Sequence, residues 1–158
     1  MTDILELYAK QFGVTFINRL GEGKDGEVYQ TSEQTAVKFL SSLDYYNREL
    51  RAYRILAEQG TISIAGFNCP RYVRDNDVYL SIEMTVVRPP FIVDFVSAYT
   101  DEELEWLGFS EDVIAERYAF WEERFGEQWP KVAQICDEFH RITGLTLLDL
   151  SHNNIRFT

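Results

Sequence analysis

The chain has 158 residues, 46% of them hydrophobic and 15% aromatic, which suffices for one packed domain and excludes a disordered tail. Its 26 acidic and 15 basic side chains give a net charge of −11, the wrong sign for a protein that coats DNA or RNA, although local donors can still hold a nucleotide. No run approaches the roughly 20 apolar residues of a bilayer span, and Cys69 and Cys136 have no CxxC partner for zinc or redox chemistry.

The start, Met1-Thr2-Asp3-Ile4-Leu5-Glu6, is acidic and amphipathic rather than basic then apolar, so a soluble cytoplasmic protein is expected. Thr2 or Asp3 can cap a helix with Ile4, Leu5, Tyr8 and Phe12 on one face, closed by Gly13. Residues 14–20 are β-rich. A glycine-studded turn follows, then strands at 27–30 and 35–40. Residues 43–58 are helical, with Tyr46, Leu50, Tyr53 and Ala57 at the helical period. Residues 71–74 and 78–83 form a second hairpin around Asp75-Asn76-Asp77, and Arg88-Pro89-Pro90 ends regular structure.

The remainder is helical. Thr100-Asp101-Glu102-Glu103 is a capping box. Ser110 caps a helix with Ile114, Tyr118, Trp121 and Phe125 on one face, and Pro130 opens another whose face is Val132, Ile135, Cys136 and Phe139. Cys136 is therefore expected to be a buried thiol. Residues 1–90 carry 10 basic and 12 acidic side chains, whereas residues 91–158 carry 5 and 14. One domain over residues 1–158 is expected, with a nearly neutral β-rich lobe at 1–85 and an acidic helical lobe at 86–158.

The chemistry-bearing stretch is Gly21-Glu22-Gly23-Lys24-Asp25-Gly26-Glu27-Val28, followed by Ala36-Val37-Lys38. A dinucleotide-binding glycine motif opens a helix, but the residues after Gly26 are β-like. A strand–loop–strand–lysine order results, which by itself also suits a plain hairpin turn with a surface lysine. Glu49, eleven residues past Lys38, lies at the edge of the buried helical face, where it can reach inward to the lysine. Asp149-Leu150-Ser151-His152-Asn153-Asn154 then places an Asp five residues before an Asn.

Together these residues resemble the protein-kinase-like superfamily, in particular small bacterial serine/threonine-kinase-like proteins. The resemblance implies an α+β fold: an antiparallel β lobe with a helix carrying the lysine's glutamate, then a reduced helical lobe. It implies ATP and Mg²⁺ as cofactors. Gly21, Gly23, Gly26, Val28, Ala36, Lys38 and Glu49 would surround the nucleotide, and Glu83 and Met84 would form the hinge that meets adenine. Asp149 and Asn154 would be catalytic, with Asn154 on the metal.

Two departures stand out. Leu147 and Leu148 occupy the usual His and Arg positions, and no Asp-Phe-Gly follows Asn154 before Thr158, so the metal-binding Asp is not found where the family places it. Asp94-Phe95 looks like that motif transposed. Lying after the hinge, Asp94 is read as a cap or surface acid, with a ribose or metal contact as alternatives. Three functions follow: serine/threonine-type phosphoryl transfer, a small-molecule kinase relative, or a pseudokinase-type module without catalysis. In the last, the acidic helical region 101–127 would dock a basic protein partner. Neither nucleic acid nor membrane is an expected partner. A Lys38–Glu49 ion pair and an open cleft at Asp149 are the expected geometry.

Overall fold

The computed structural model describes residues 2–158. Helix α1 (Thr2–Phe12) ends where Gly13 turns to a φ of 68°. Strands β1 (Phe16–Gly23), β2 (Gly26–Thr31) and β3 (Thr35–Leu40) follow, and then helix α2 (Leu43–Glu58), whose first turn is capped by the Ser42 hydroxyl accepting from the Tyr45 N–H. Next come two short strands, β4 (Ser63–Ile64) and β5 (Phe67–Asn68), and the longer β6 (Tyr72–Asn76) and β7 (Ser81–Thr85). The order β1-β2-β3-β7-β6 makes one five-stranded antiparallel sheet.

The sheet is apolar on both faces because its strands alternate between two cores. On the outer face Val37 and Phe39 meet Tyr8 of α1. On the inner face Ala36, Leu40, Ile82 and Met84 meet Tyr46, Leu50 and Tyr53 of α2. The second hairpin runs later than the sequence suggests, at 72–76 and 81–85. The Asn76 side chain accepts from the Val78 and Tyr79 N–H groups and so moves the turn past residue 76.

That shift corrects the hinge. Ile82-Glu83-Met84 lies within β7, between β3 and β6, with Glu83 opposite Val37 and Met84 opposite Ala36. Glu83 points to the outer face, fully buried, where it accepts from Tyr8 Oη (2.8 Å) and Thr35 Oγ1 (2.5 Å) and pairs with Arg74 Nε (2.9 Å). Its side chain is on the side of the sheet opposite Lys38. Met84 stays on the inner face, its sulfur accepting from Tyr53 Oη.

Beyond the sheet lie strands β8 (Phe91–Ile92) and β9 (Ala98–Tyr99), and helices α3 (Asp101–Trp106) and α4 (Glu111–Phe125). A single 3₁₀ turn at Gly126–Gln128 leads into α5 (Trp129–Thr143), and the chain continues through β10 (Thr146–Leu147) to β11 (Ile155–Arg156). Helix α3 has the expected capping box, with Thr100 and Glu103 satisfying each other's backbone N–H. Val132, Ile135, Cys136 and Phe139 of α5 are buried as the periodicity indicates.

The two-residue strands carry no periodic signal and were not legible beforehand. They nevertheless tie distant segments together. β11 pairs antiparallel with β8, Ile155 opposite Ile92, and β8 also lies parallel to β5. β10 pairs with β9, Leu147 opposite Ala98. Among the described residues, no helix is long and apolar enough to cross a membrane.

Candidate active site

β3 and α2 bring the first two predicted site residues together. Lys38 shares the inner face with Ala36, and Glu49 faces the sheet from α2. Their side chains are 7% and 1% exposed, and Lys38 Nζ donates to Glu49 Oε2 at 2.7 Å. A lysine on the third strand paired to a glutamate on the following helix, under an antiparallel sheet with this strand order, is the arrangement that positions nucleotide phosphates in kinases. The arrangement resembles that of protein-kinase-like folds.

No protein-family model matches the sequence, and no curated protein matches it. Similar solved structures include aminoglycoside phosphotransferase APH(2'')-Ib bound to ADP, 21% identical with a TM-score of 0.46, over 96% of this chain and 41% of that one. Another is the streptomycin–ATP ternary complex of APH(2'')-IIa, 19% identical with a TM-score of 0.46, over 87% of this chain and 39% of that one. The chain spans about two fifths of the length of these structures.

A third charged group of the site departs from the sequence expectation. Asp94 is neither a surface acid nor a helix cap. Its Oδ2 lies 3.3 Å from Lys38 Nζ, on the same ammonium that Glu49 holds. Its backbone has a φ of 71°, a left-handed conformation rare for a residue with a side chain, and strain of this kind clusters at functional sites. Two features hold it there. Asp94 Oδ1 accepts from the Val96 N–H, and Phe95 is fully buried between Tyr53 of α2 and Phe139 of α5, at ring distances of 5.1 and 5.3 Å.

The strand before Asp94 explains how an acid that precedes the Asp149 loop in sequence reaches it in space. Val93 N–H donates to Asn154 O at 2.8 Å, in line with the Ile92–Ile155 pair. Asp94 therefore leaves a strand that is the direct neighbour of the strand leaving Asn154. The sequence carried the signal, since Phe91-Ile92-Val93-Asp94-Phe95 is an apolar strand running into Asp-Phe. Its position before the loop, rather than after it, concealed the match.

The remaining predicted residues sort by face. Val28 lies opposite Lys38 on β2 and packs against the inner core with the buried Ala36. The Lys24-Asp25 turn joins β1 to β2. A side-chain carbon placed on Gly21 or Gly23 would meet no atom within 4 Å, whereas one on Gly26 would stand 2.0 Å from Phe39 O. Gly26 is thus needed by the β2–β3 contact itself, whereas Gly21 and Gly23 face open space. Asn154 is buried, and Asp149, half-buried, accepts from the Ser151 N–H.

The electrostatics bind these groups into one site. Burial works against the Lys38 ammonium, but the carboxylates of Glu49 and Asp94 outweigh it and hold the lysine above its ordinary value. Burial pushes the Glu49 carboxyl up to about 7 against the pull of Lys38. Asp25 is raised by burial first and then by the field of Asp94, with Lys38 pulling the other way and Asp149 adding to the rise. Glu49 Oε1 is buried without a hydrogen-bond partner among the described residues.

Mg²⁺ is a hard ion that takes one or two carboxylates and completes its shell with waters and substrate phosphates. Among the described residues no group of three or more acidic, His or Cys ligands forms a self-sufficient metal cage. One carboxylate residue, Asp94, and one buried amide residue, Asn154, leave adjacent strands here, a donor set too small to hold a metal ion without further ligands.

Proposed function

We propose that this chain binds Mg²⁺–ATP in the cleft between the inner face of the sheet and the Asp149 loop, and transfers its terminal phosphoryl group to a hydroxyl acceptor. The observation that carries this reading is the Lys38 ammonium held between Glu49 and Asp94 at 2.7 and 3.3 Å. A buried lysine between two carboxylates is held firmly in place, and their excess negative charge leaves room for a divalent cation to accompany a phosphate there.

Each residue then has a chemical task. Lys38 meets the phosphates and Glu49 fixes its direction. The open space over Gly21 and Gly23 lets backbone N–H groups approach them. Val28, Ala36 and Met84 supply the apolar wall for the base. Asp94 and Asn154 would hold Mg²⁺, which supplies charge neutralisation on the phosphates when bound. Asp149, at the loop that faces this space, accepts the proton of the acceptor hydroxyl, and a serine or threonine side chain has the chemistry required.

The deciding experiment is calorimetric titration with ATP, with and without Mg²⁺. Lys38→Ala should weaken binding roughly 10- to 100-fold, the loss of charge-assisted hydrogen bonds of about 1.5–3 kcal/mol. Asp94→Asn should abolish the gain from Mg²⁺ while leaving metal-free binding in place. Asp149→Asn should bind normally and turn over no ATP. No heat at millimolar ATP would overturn the reading.

One observation favours the non-catalytic alternative. Leu104, Phe109 and Ile114 line a groove of about 550 Å³ between α3 and α4, with Asp101, Glu105 and Glu111 around it, and the neighbouring Trp106 is 89% exposed. An apolar floor with an acidic rim suits a basic amphipathic segment. Binding of such a peptide, quenching Trp106 fluorescence, in a chain that binds no ATP would favour that reading.

A further inference from the structure

The segment directly after Asp94-Phe95 is held from two sides. From α2, Arg48 Nε donates to Val96 O at 2.7 Å and an Arg51 Nη donates to Ala98 O at 2.9 Å. Arg51 also forks onto Glu103, with Nη1–Oε1 at 2.7 Å and Nη2–Oε2 at 2.8 Å, and Glu103 is itself fixed by the Thr100 capping box. From the other side, Leu148 N–H donates to Ser97 O at 3.2 Å, and Asp149 N–H donates to Ser97 Oγ at 2.8 Å. Residues 96–98 therefore touch the helix that carries Glu49 and the loop that carries Asp149, and follow the residue that meets Lys38.

Leu147 and Leu148 stand where the family that the sequence resembles has a His and an Arg before the loop's Asp. Leu147 and Leu148 are buried, and their carbonyls accept from Tyr118 Oη (3.0 Å) and Trp121 Nε1 (3.1 Å) of α4. Every contact in this framework is a hydrogen bond or ion pair between groups already in the chain. None of it needs an added phosphate to draw the segment onto α2.

We propose that residues 96–98 are a fixed strut, with Arg51 and Ser97 as positioning residues that set Asp94 and Asp149 relative to Lys38, so that the site is assembled without covalent modification. This rests on the phosphotransferase reading above. Two carboxylates that must act on one nucleotide gain from a common rigid support, because small misplacements of reacting groups are costly.

The test compares ATP affinity with Mg²⁺ and with a chelator, in the full chain. Arg51→Gln should weaken Mg²⁺–ATP binding roughly 10- to 100-fold, the usual cost of losing an outer-shell support, while metal-free ATP affinity stays within about threefold. Ser97→Ala should leave both affinities unchanged and lower the turnover of bound ATP, and Ser97→Thr, which keeps the hydroxyl, should restore it. Arg51→Glu with Glu103→Arg should recover part of what each single change loses.

If Arg51→Gln and Ser97→Ala behave like the wild type while Lys38→Ala shows its expected loss of ATP affinity, the strut is wrong and the phosphotransferase reading stands. If the wild type binds no ATP, that reading fails. Hydrogen exchange at the Leu148 and Asp149 amides still decides the strut: protection lost in Ser97→Ala supports it, and unchanged protection overturns it.

Discussion

At the scale of single residues, the three glycines of the loop do different work although they look alike in sequence. Gly26 sits at a φ of 150° with a neighbouring strand's carbonyl where its side chain would stand, so Gly26→Ala should destabilise the fold by about 2 kcal/mol or more. Gly23 meets nothing, so Gly23→Ala should leave stability within about 0.5 kcal/mol and weaken ATP binding. Urea denaturation and calorimetry on the two variants separate a structural glycine from a ligand-facing one. Lys38 and Glu49 were legible because their eleven-residue spacing joins a β pattern to a helical one. Glu83 was misread because β7 buries it on the far side of the sheet, and strand alternation alone does not say which face is which.

Among the elements, α2 is the one that joins the halves of the site. Its apolar stripe, evident in the sequence, docks it on the sheet. Its polar edge, Arg48, Glu49 and Arg51, reaches three different segments. The partners of Arg48 and Arg51 were not legible, because they are backbone carbonyls and a capping glutamate on residues without any periodic relation to α2. The Arg51–Glu103 pair has a titratable signature. Hydrogen bonds from Arg51 hold the Glu103 carboxyl below its ordinary 4.5. A lowered native value means that the pair's contribution is complete above about pH 4.5 and is lost as pH falls through the native value. The stability difference between wild type and Glu103→Gln should therefore shrink towards zero on acidification, as followed by denaturant titration at stepped pH. A difference that does not shrink as the carboxyl is protonated at the acid end would contradict the assignment.

For the whole molecule, the decisive feature is that spatial order departs from chain order. The sequence displayed the β lobe, the helices and the Asp149 loop in a familiar succession, and those parts of the fold were read from it. The Asp94 strand was discounted because its neighbour, β11, lies beyond three intervening helices, and local pattern contains no information about such a pairing. Ile155 is almost fully buried and Phe157 meets Phe67 edge to face at 4.9 Å, so deleting residues 155–158 should cost about 2–5 kcal/mol. The same deletion should weaken the Mg²⁺-dependent part of ATP binding more than the metal-free part, since β8 loses its antiparallel partner and keeps only β5, while β1–β3 keep all of theirs.

The pairing of Ile92 with Ile155 also orders events during synthesis. The lysine and glutamate can meet as soon as β7 has joined the sheet, because every element they need lies within the first half of the chain. Asp94 is translated soon afterwards, yet its strand has no antiparallel neighbour until residues 155–156 have emerged. Pairings between remote segments close late, since the intervening chain must first be confined. A nascent chain arrested before residue 155 would thus hold the Lys38–Glu49 pair while the strand that leads into Asp94 still lacks its antiparallel neighbour.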